Sequence, residues 1–139
     1  MNDPELLREV ARWVRYARDD LKVAEVILEH SQVPRAACFN AQQCAEKSIK
    51  ASLVFLQIPF RRTHDLELLC KGLPEGWTLG EDPARLSSLS DWAVEPRYPG
   101  DLMEATEADA RNAFEQARDV YETTLEDLKR HGYEPEENT

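Results

Sequence analysis

The chain has 139 residues, 42% hydrophobic and 32% charged, enough for one hydrophobic core and too few for two domains. No apolar run reaches the roughly 18 residues of a membrane span, and the start at Asn2-Asp3 lacks an apolar signal core, so the expected location is cytoplasmic. The net charge of −10 argues against non-specific DNA or RNA binding, which needs Lys and Arg to neutralise phosphates.

Asp3-Pro4-Glu5 joins an N-cap acid, a proline at the first helical position and a first-turn acid, so a helix starts there. Leu6, Val10, Trp13, Val14, Ala17, Leu21, Ala24 and Ile27 then repeat at fours and threes, a core stripe that ends near His30. Arg8, Arg12, Arg15 and Lys22 form a second stripe, read as a solvated face. Ser31-Gln32-Val33 is a short connection, which sets the next helix antiparallel. That helix, from Pro34 to Gln57, is the one the fold is built around. Ala37, Ala41, Cys44, Ala45, Ser48 and Ser52 give it a small face along which another helix approaches closely. Pro59 ends it, and Phe55, Leu56 and Ile58 look surplus to one bundle, which predicts a homodimer interface.

Phe60-Arg61-Arg62 is an exposed basic elbow. Thr63 is expected to cap the next turn, with Asp65 near the helix start, and Leu66, Leu68 and Leu69 give a short helix closing at Gly72. Residues 73–80 read as a loop pinned by Trp77, and Asp82-Pro83 opens a helix to Ala93. Pro96, Pro99 and Gly100 make an irregular loop that holds Arg97 between two prolines. Thr106 with Asp109 forms a capping pair for the last helix, which carries Ala110, Ala113, Phe114, Ala117, Val120, Tyr121, Thr124, Leu125 and Leu128 on one face and stops at Gly132. Residues 133–139 are acidic and expected to be disordered. The prediction is one domain over residues 1–132, an all-α up-and-down helical bundle of about five helices, three long and two short.

Charge is uneven along the chain. Residues 1–65 carry ten Lys or Arg against nine Asp or Glu, so a local phosphate contact is feasible in the first half. Cys38, Cys44 and Cys70 lack the close Cys or His pairs of zinc sites and read as small buried hydrophobes. There is no Gly-rich phosphate loop, no His-Glu-x-x-His and no Glu-x-x-His pair, so neither metal nor cofactor is expected. Among the remaining polar residues, Glu46 and Lys50 read singly as an exposed pair four apart, His64 as a first-turn residue and Arg97 as a loop cation.

Taken in order, Ala41-Gln42-Gln43-Cys44-Ala45-Glu46-Lys47-Ser48-Ile49-Lys50-Ala51, then Thr63-His64-Asp65-Leu66, then Arg97-Tyr98-Pro99 resemble the HEPN (higher eukaryotes and prokaryotes nucleotide-binding) domain. The resemblance implies a five-helix bundle that commonly dimerises, with polar residues gathered in a cleft. It also implies a minimal nucleotidyltransferase as partner, the two acting as a toxin–antitoxin pair. Many members of the superfamily are ribonucleases with an Arg followed, after four to six residues, by a His. Counting back from His30, His64 and His131 reaches residues 23–25, 57–59 and 124–126, and none is Arg. The expected function is therefore a non-catalytic nucleotide-binding or partner-binding domain. Its nucleotide or phosphate site would comprise Glu46, Lys50, Thr63, His64, Asp65, Arg97 and Tyr98, with Arg97 as anchor, Lys50 as a second cation and the free amides of the helix start at Thr63–Asp65 as donors. The alternative is a metal-independent ribonuclease in which folding brings His64 and Arg97 together.

Overall fold

In the computed structural model, which describes residues 3–30, 32–93 and 104–135, the first helix, α1, spans Pro4–His30, with the Asp3 carboxylate accepting from the Glu5 amide as predicted. The second, α2, spans Pro34–Phe55. Trp13 lies beside Lys50 and Asp20 beside Lys47, so residue numbers fall along α1 as they rise along α2. The two helices are antiparallel, as their short connection requires.

α2 is the central helix, buried on nearly every side from Ala37 to Phe55. Its small face does what such a face allows: Ala37, Ala41, Cys44 and Ala45 are fully covered, and the Cys44 thiol reaches the Ala117 carbonyl of the last helix, α5 (Glu107–Arg130). Burial pushes the Cys38 thiol up to about 11 and the Cys44 and Cys70 thiols up to about 12.

The end of α2 departs from the predicted Gln57 by two residues. Gln57 takes φ +57, the Ile58 amide bonds back to the Leu53 carbonyl and the Gln57 amide to that of Val54. This is a Schellman stop built on a non-glycine residue. Phe55, Leu56 and Ile58 are not surplus. Phe55 packs on Trp77 and Tyr133, and the other two lie half-buried against the core, so the apolar excess behind the dimer expectation is absorbed within one chain.

The short helix α3 spans Leu66–Lys71. Its cap is Asp65, whose carboxylate accepts from the Leu68 amide, and not Thr63, whose hydroxyl accepts from the Asp65 amide just before the helix. The expected loop 73–80 contains a 3₁₀ turn, Thr78–Gly80, clamped by α5. Asp127, fully buried, accepts from the Thr78 and Leu79 amides at 3.3 and 3.2 Å and pairs with Arg130 at 2.5 Å. Trp77 is buried there and stacks on His131.

Between Pro83 and Ala93 the single predicted helix is broken. A 3₁₀ turn (Pro83–Leu86), one α-turn, α4 (Ser87–Ser90), and a second 3₁₀ turn (Asp91–Ala93) follow one another. Three serines in four residues offer the backbone competing hydrogen bonds and little helix propensity.

The Thr106–Asp109 capping box is formed in both directions, and α5 ends before Gly132, at φ +102. Packing reaches beyond the predicted boundary at residue 132: Tyr133 is only 3% exposed. Residues 136–139 of the expected tail lie outside the described residues. Among the described residues there are five α-helices and no strand, an all-α bundle as the sequence predicts.

Candidate functional site

Gln42, Glu46 and Lys50 sit on successive turns of α2, at the i, i+4 spacing that stacks side chains one above another. The site grows from this row. Glu46 and Lys50 are 4% and 8% exposed, so the exposed-pair reading is corrected: the face they share with Gln42 is covered by α1 and the 60–64 turn. Lys50 Nζ donates to Glu46 Oε2 at 2.9 Å and lies 5.8 and 5.6 Å from the ring centroids of Trp13 and Phe60. Those two rings meet edge to face. An ammonium between a carboxylate and two aromatic rings is well compensated for leaving water. It is already paired with Glu46, so as a second cation for a phosphate Lys50 would have to be shared with that carboxylate.

The other carboxylate oxygen faces His64. Glu46 Oε1 lies 2.7 Å from His64 Nδ1 and accepts a longer bond, 3.3 Å, from the Gln42 amide. Burial raises the Glu46 carboxyl, but the hydrogen bonds and charges of Lys50 and His64 together outweigh it, and the net shift is below the ordinary glutamate value. Glu46 is thus an ionised acceptor, and Nδ1 of His64 donates to it. That leaves Nε2 on a side chain that is 65% exposed.

The His64 backbone is held as firmly as its ring. Its carbonyl accepts from Gln42 Nε2 at 3.0 Å and from Ser90 Oγ at 3.1 Å, while Ser90 Oγ accepts from the Leu66 amide at 3.0 Å. The amides at the start of α3 are therefore largely consumed: Asp65 donates to Thr63, Leu66 to Ser90 and Leu68 to Asp65. Three of the amides expected to serve an anion at that helix start are thus taken. Thr63 and Asp65 shape the turn, and the open cations beside His64 are Arg61 and Arg62, both exposed and without a side-chain partner among the described residues.

The structure brings together Glu46, Lys50, Thr63, His64 and Asp65. Arg97 and Tyr98 lie outside the described residues. Sequence reasoning missed Gln42, Trp13, Phe60 and Ser90. The signal for Gln42 was its place one turn before Glu46, in line with Lys50 one turn after it; the other three are contacts between distant segments. Lys47 belongs to a separate pair, 2.6 Å from Asp20. Among the described residues no group of three or more His, Cys, Asp or Glu could hold a metal ion.

A central buried helix carrying a Gln-Glu-Lys row, with a histidine turn folded over it, is the frame of the site. The chain belongs to the HEPN domain family, whose model matches residues 10–128. It is 31% identical to the protein named "Putative toxin MJ1304" of Methanocaldococcus jannaschii, across 84% of this chain and 86% of that one. Two solved structures share the fold. TT1696 from Thermus thermophilus superposes with a TM-score of 0.71 at 28% identity, covering 85% of this chain and 98% of that one. ST0689, described as an archaeal HEPN homologue, gives 0.66 at 25% identity, covering 86% and 97%.

Proposed function

We propose that this chain is a non-catalytic HEPN module that binds a phosphate-bearing ligand, a nucleotide free or within RNA, through His64 and the Arg61–Arg62 elbow. The carrying observation is the Glu46–His64 pair. A buried carboxylate fixes the ring by Nδ1, so Nε2 is presented outward at little conformational cost, and in the imidazolium form it donates to a phosphate oxygen. Arg97, between its two prolines, is proposed as a further anchor, with Tyr98 beside it. The likeness to a protein named a toxin supports a toxin–antitoxin setting. A homodimer as the working unit, a minimal nucleotidyltransferase as partner and the cytoplasm as location are proposed only from what membership of the HEPN family implies.

Titration of ATP and a short single-stranded RNA by calorimetry tests this. His64→Ala and Arg97→Ala are each expected to remove one charge-assisted contact, on the order of 1.5 to 3 kcal/mol, or about tenfold to a hundredfold in affinity. Unchanged affinity in both variants, or no binding by the wild type, refutes the reading. A second reading rests on the same pair, because a carboxylate-held imidazole is also the geometry of a general base. Cleavage of the RNA that disappears in His64→Ala would establish the ribonuclease instead.

A further inference from the structure

The 59–64 segment that carries His64 has a second face. Between the end of α2 and α3 it walls a cleft of about 180 Å³, whose lining includes Leu53, Ile58, Phe60 and Leu68 together with Arg61 and Gly72. This is smaller than the roughly 300 Å³ at which pockets begin to hold whole small molecules. At about 30 Å³ per water it has the room of about six waters, enough for one ring system. Its occupant is therefore one part of a larger ligand.

Three observations say which part. The walls are mostly apolar, and Leu68 among them is 46% exposed, a large hydrophobe left open to a flat partner. Phe60 is shared: the ring that lines the cleft also covers Lys50 and is braced edge to face by Trp13, so that wall is in place before anything binds. Arg61 is the charged residue of the lining, exposed and without a side-chain partner among the described residues, and His64 follows three residues later. A mostly apolar slot with a free guanidinium in its lining fits a flat ring joined to an anion. We propose that the cleft is a base subsite, taking the ring of one nucleotide while Arg61 and His64 hold the adjoining phosphate. The inference rests on the phosphate-binding reading above and adds the requirement for a base.

The test titrates adenosine, AMP, ribose 5-phosphate and a short single-stranded RNA into the full chain. Two variants alter the cleft: Gly72→Leu and Leu68→Ser. Gly72 has an ordinary φ of −76, and a Cβ there meets the Leu69 carbonyl oxygen at a tight 3.3 Å and Leu53 Cδ2, a cleft wall, at 3.5 Å, so a larger side chain both crowds the backbone and grows against the cleft. Thermal melts identify variants that keep the fold, and Leu68, half-exposed, supplies one if Gly72→Leu does not. The wild type is expected to prefer AMP over ribose 5-phosphate by tenfold or more. The cleft variants lose that preference and keep their affinity for ribose 5-phosphate, whereas His64→Ala weakens both phosphates alike. Tighter RNA binding with the same sensitivity to the cleft variants places the base within a strand; tighter AMP binding makes the ligand a free nucleotide. Equal affinity of the wild type for AMP and ribose 5-phosphate overturns the base subsite and leaves phosphate binding standing. Adenosine binding as tightly as AMP overturns the phosphate reading, and the shared site with it. AMP binding unchanged in both cleft variants overturns the proposal.

Discussion

Replacing Glu46 by Gln keeps the side-chain shape and an acceptor for His64 but removes the anion paired with Lys50. Breaking a buried pair by deleting one partner costs about 3 to 5 kcal/mol, because the remaining charge stays desolvated. Lys50 is 8% exposed and keeps the faces of Trp13 and Phe60, each worth about 0.5 to 1 kcal/mol, so the lower end applies, about 3 kcal/mol. A chain of this length has a total stability of about 7 to 20 kcal/mol. With a urea slope near 2 kcal/mol/M, the midpoint falls by roughly 1.5 M. The double variant Glu46→Gln with Lys50→Met removes both charges and refills the space between the rings. It is expected within about 1 kcal/mol of the wild type, since apolar replacement of a whole buried pair is often neutral. A single variant that loses under 1 kcal/mol, or a double variant no more stable than the single one, refutes the account of Lys50 as a charge held by Glu46.

The acid limb of stability follows from the same residue. Glu46 has a folded pKa below its unfolded one, so its contribution is present above the ordinary value of about 4.3 and is lost as pH falls through the folded value. Melts below about pH 4.3 should show the wild type losing stability more steeply than Glu46→Gln. Asp127→Asn weakens the clamp on the Thr78 and Leu79 amides and the pair with Arg130. It should cost about 2 kcal/mol and, in a background with Trp13 and Trp92 replaced by Phe so that Trp77 alone emits, shift the fluorescence to the red; an unchanged spectrum would count against the clamp. Gln57→Gly relieves a side chain at φ +57 and should raise stability by about 1 kcal/mol in urea melts.

The long helices were legible because their signals are local. Asp3-Pro4, Pro34 and the Thr106–Asp109 box fix starts within one turn of sequence, and the stripe from Val10 to Ala24 is a simple period. The polar cluster was half legible. A Glu and a Lys four apart look the same on a solvated face and in a core, and what decides between them is whether distant side chains cover that face. Trp13, 33 residues before Glu46, and Phe60, 14 after it, do so here. The cap of α3 went to Asp65 because Thr63 was already bonded to the Asp65 amide, a competition that spacing does not rank. The break between Pro83 and Ala93 arose likewise, from serines whose alternative bonds, such as Ser90 to His64, depend on the fold.

The three buried thiols give the molecule its own clocks. Cys38 sits in the first turns of α2, Cys44 in its middle against α5, and Cys70 on the buried face of α3. With pKa values of about 11 to 12, each is almost wholly protonated at neutral pH and closed to alkylating reagents until its surroundings part. The labelling rate at each sulfur therefore reads how often that part of the bundle opens. Cys44, enclosed by two long helices, reports the whole molecule coming apart, whereas Cys70 reports the lifting of α3 alone. A ligand that seats against α3 slows the Cys70 clock while leaving that of Cys44 tied to global unfolding.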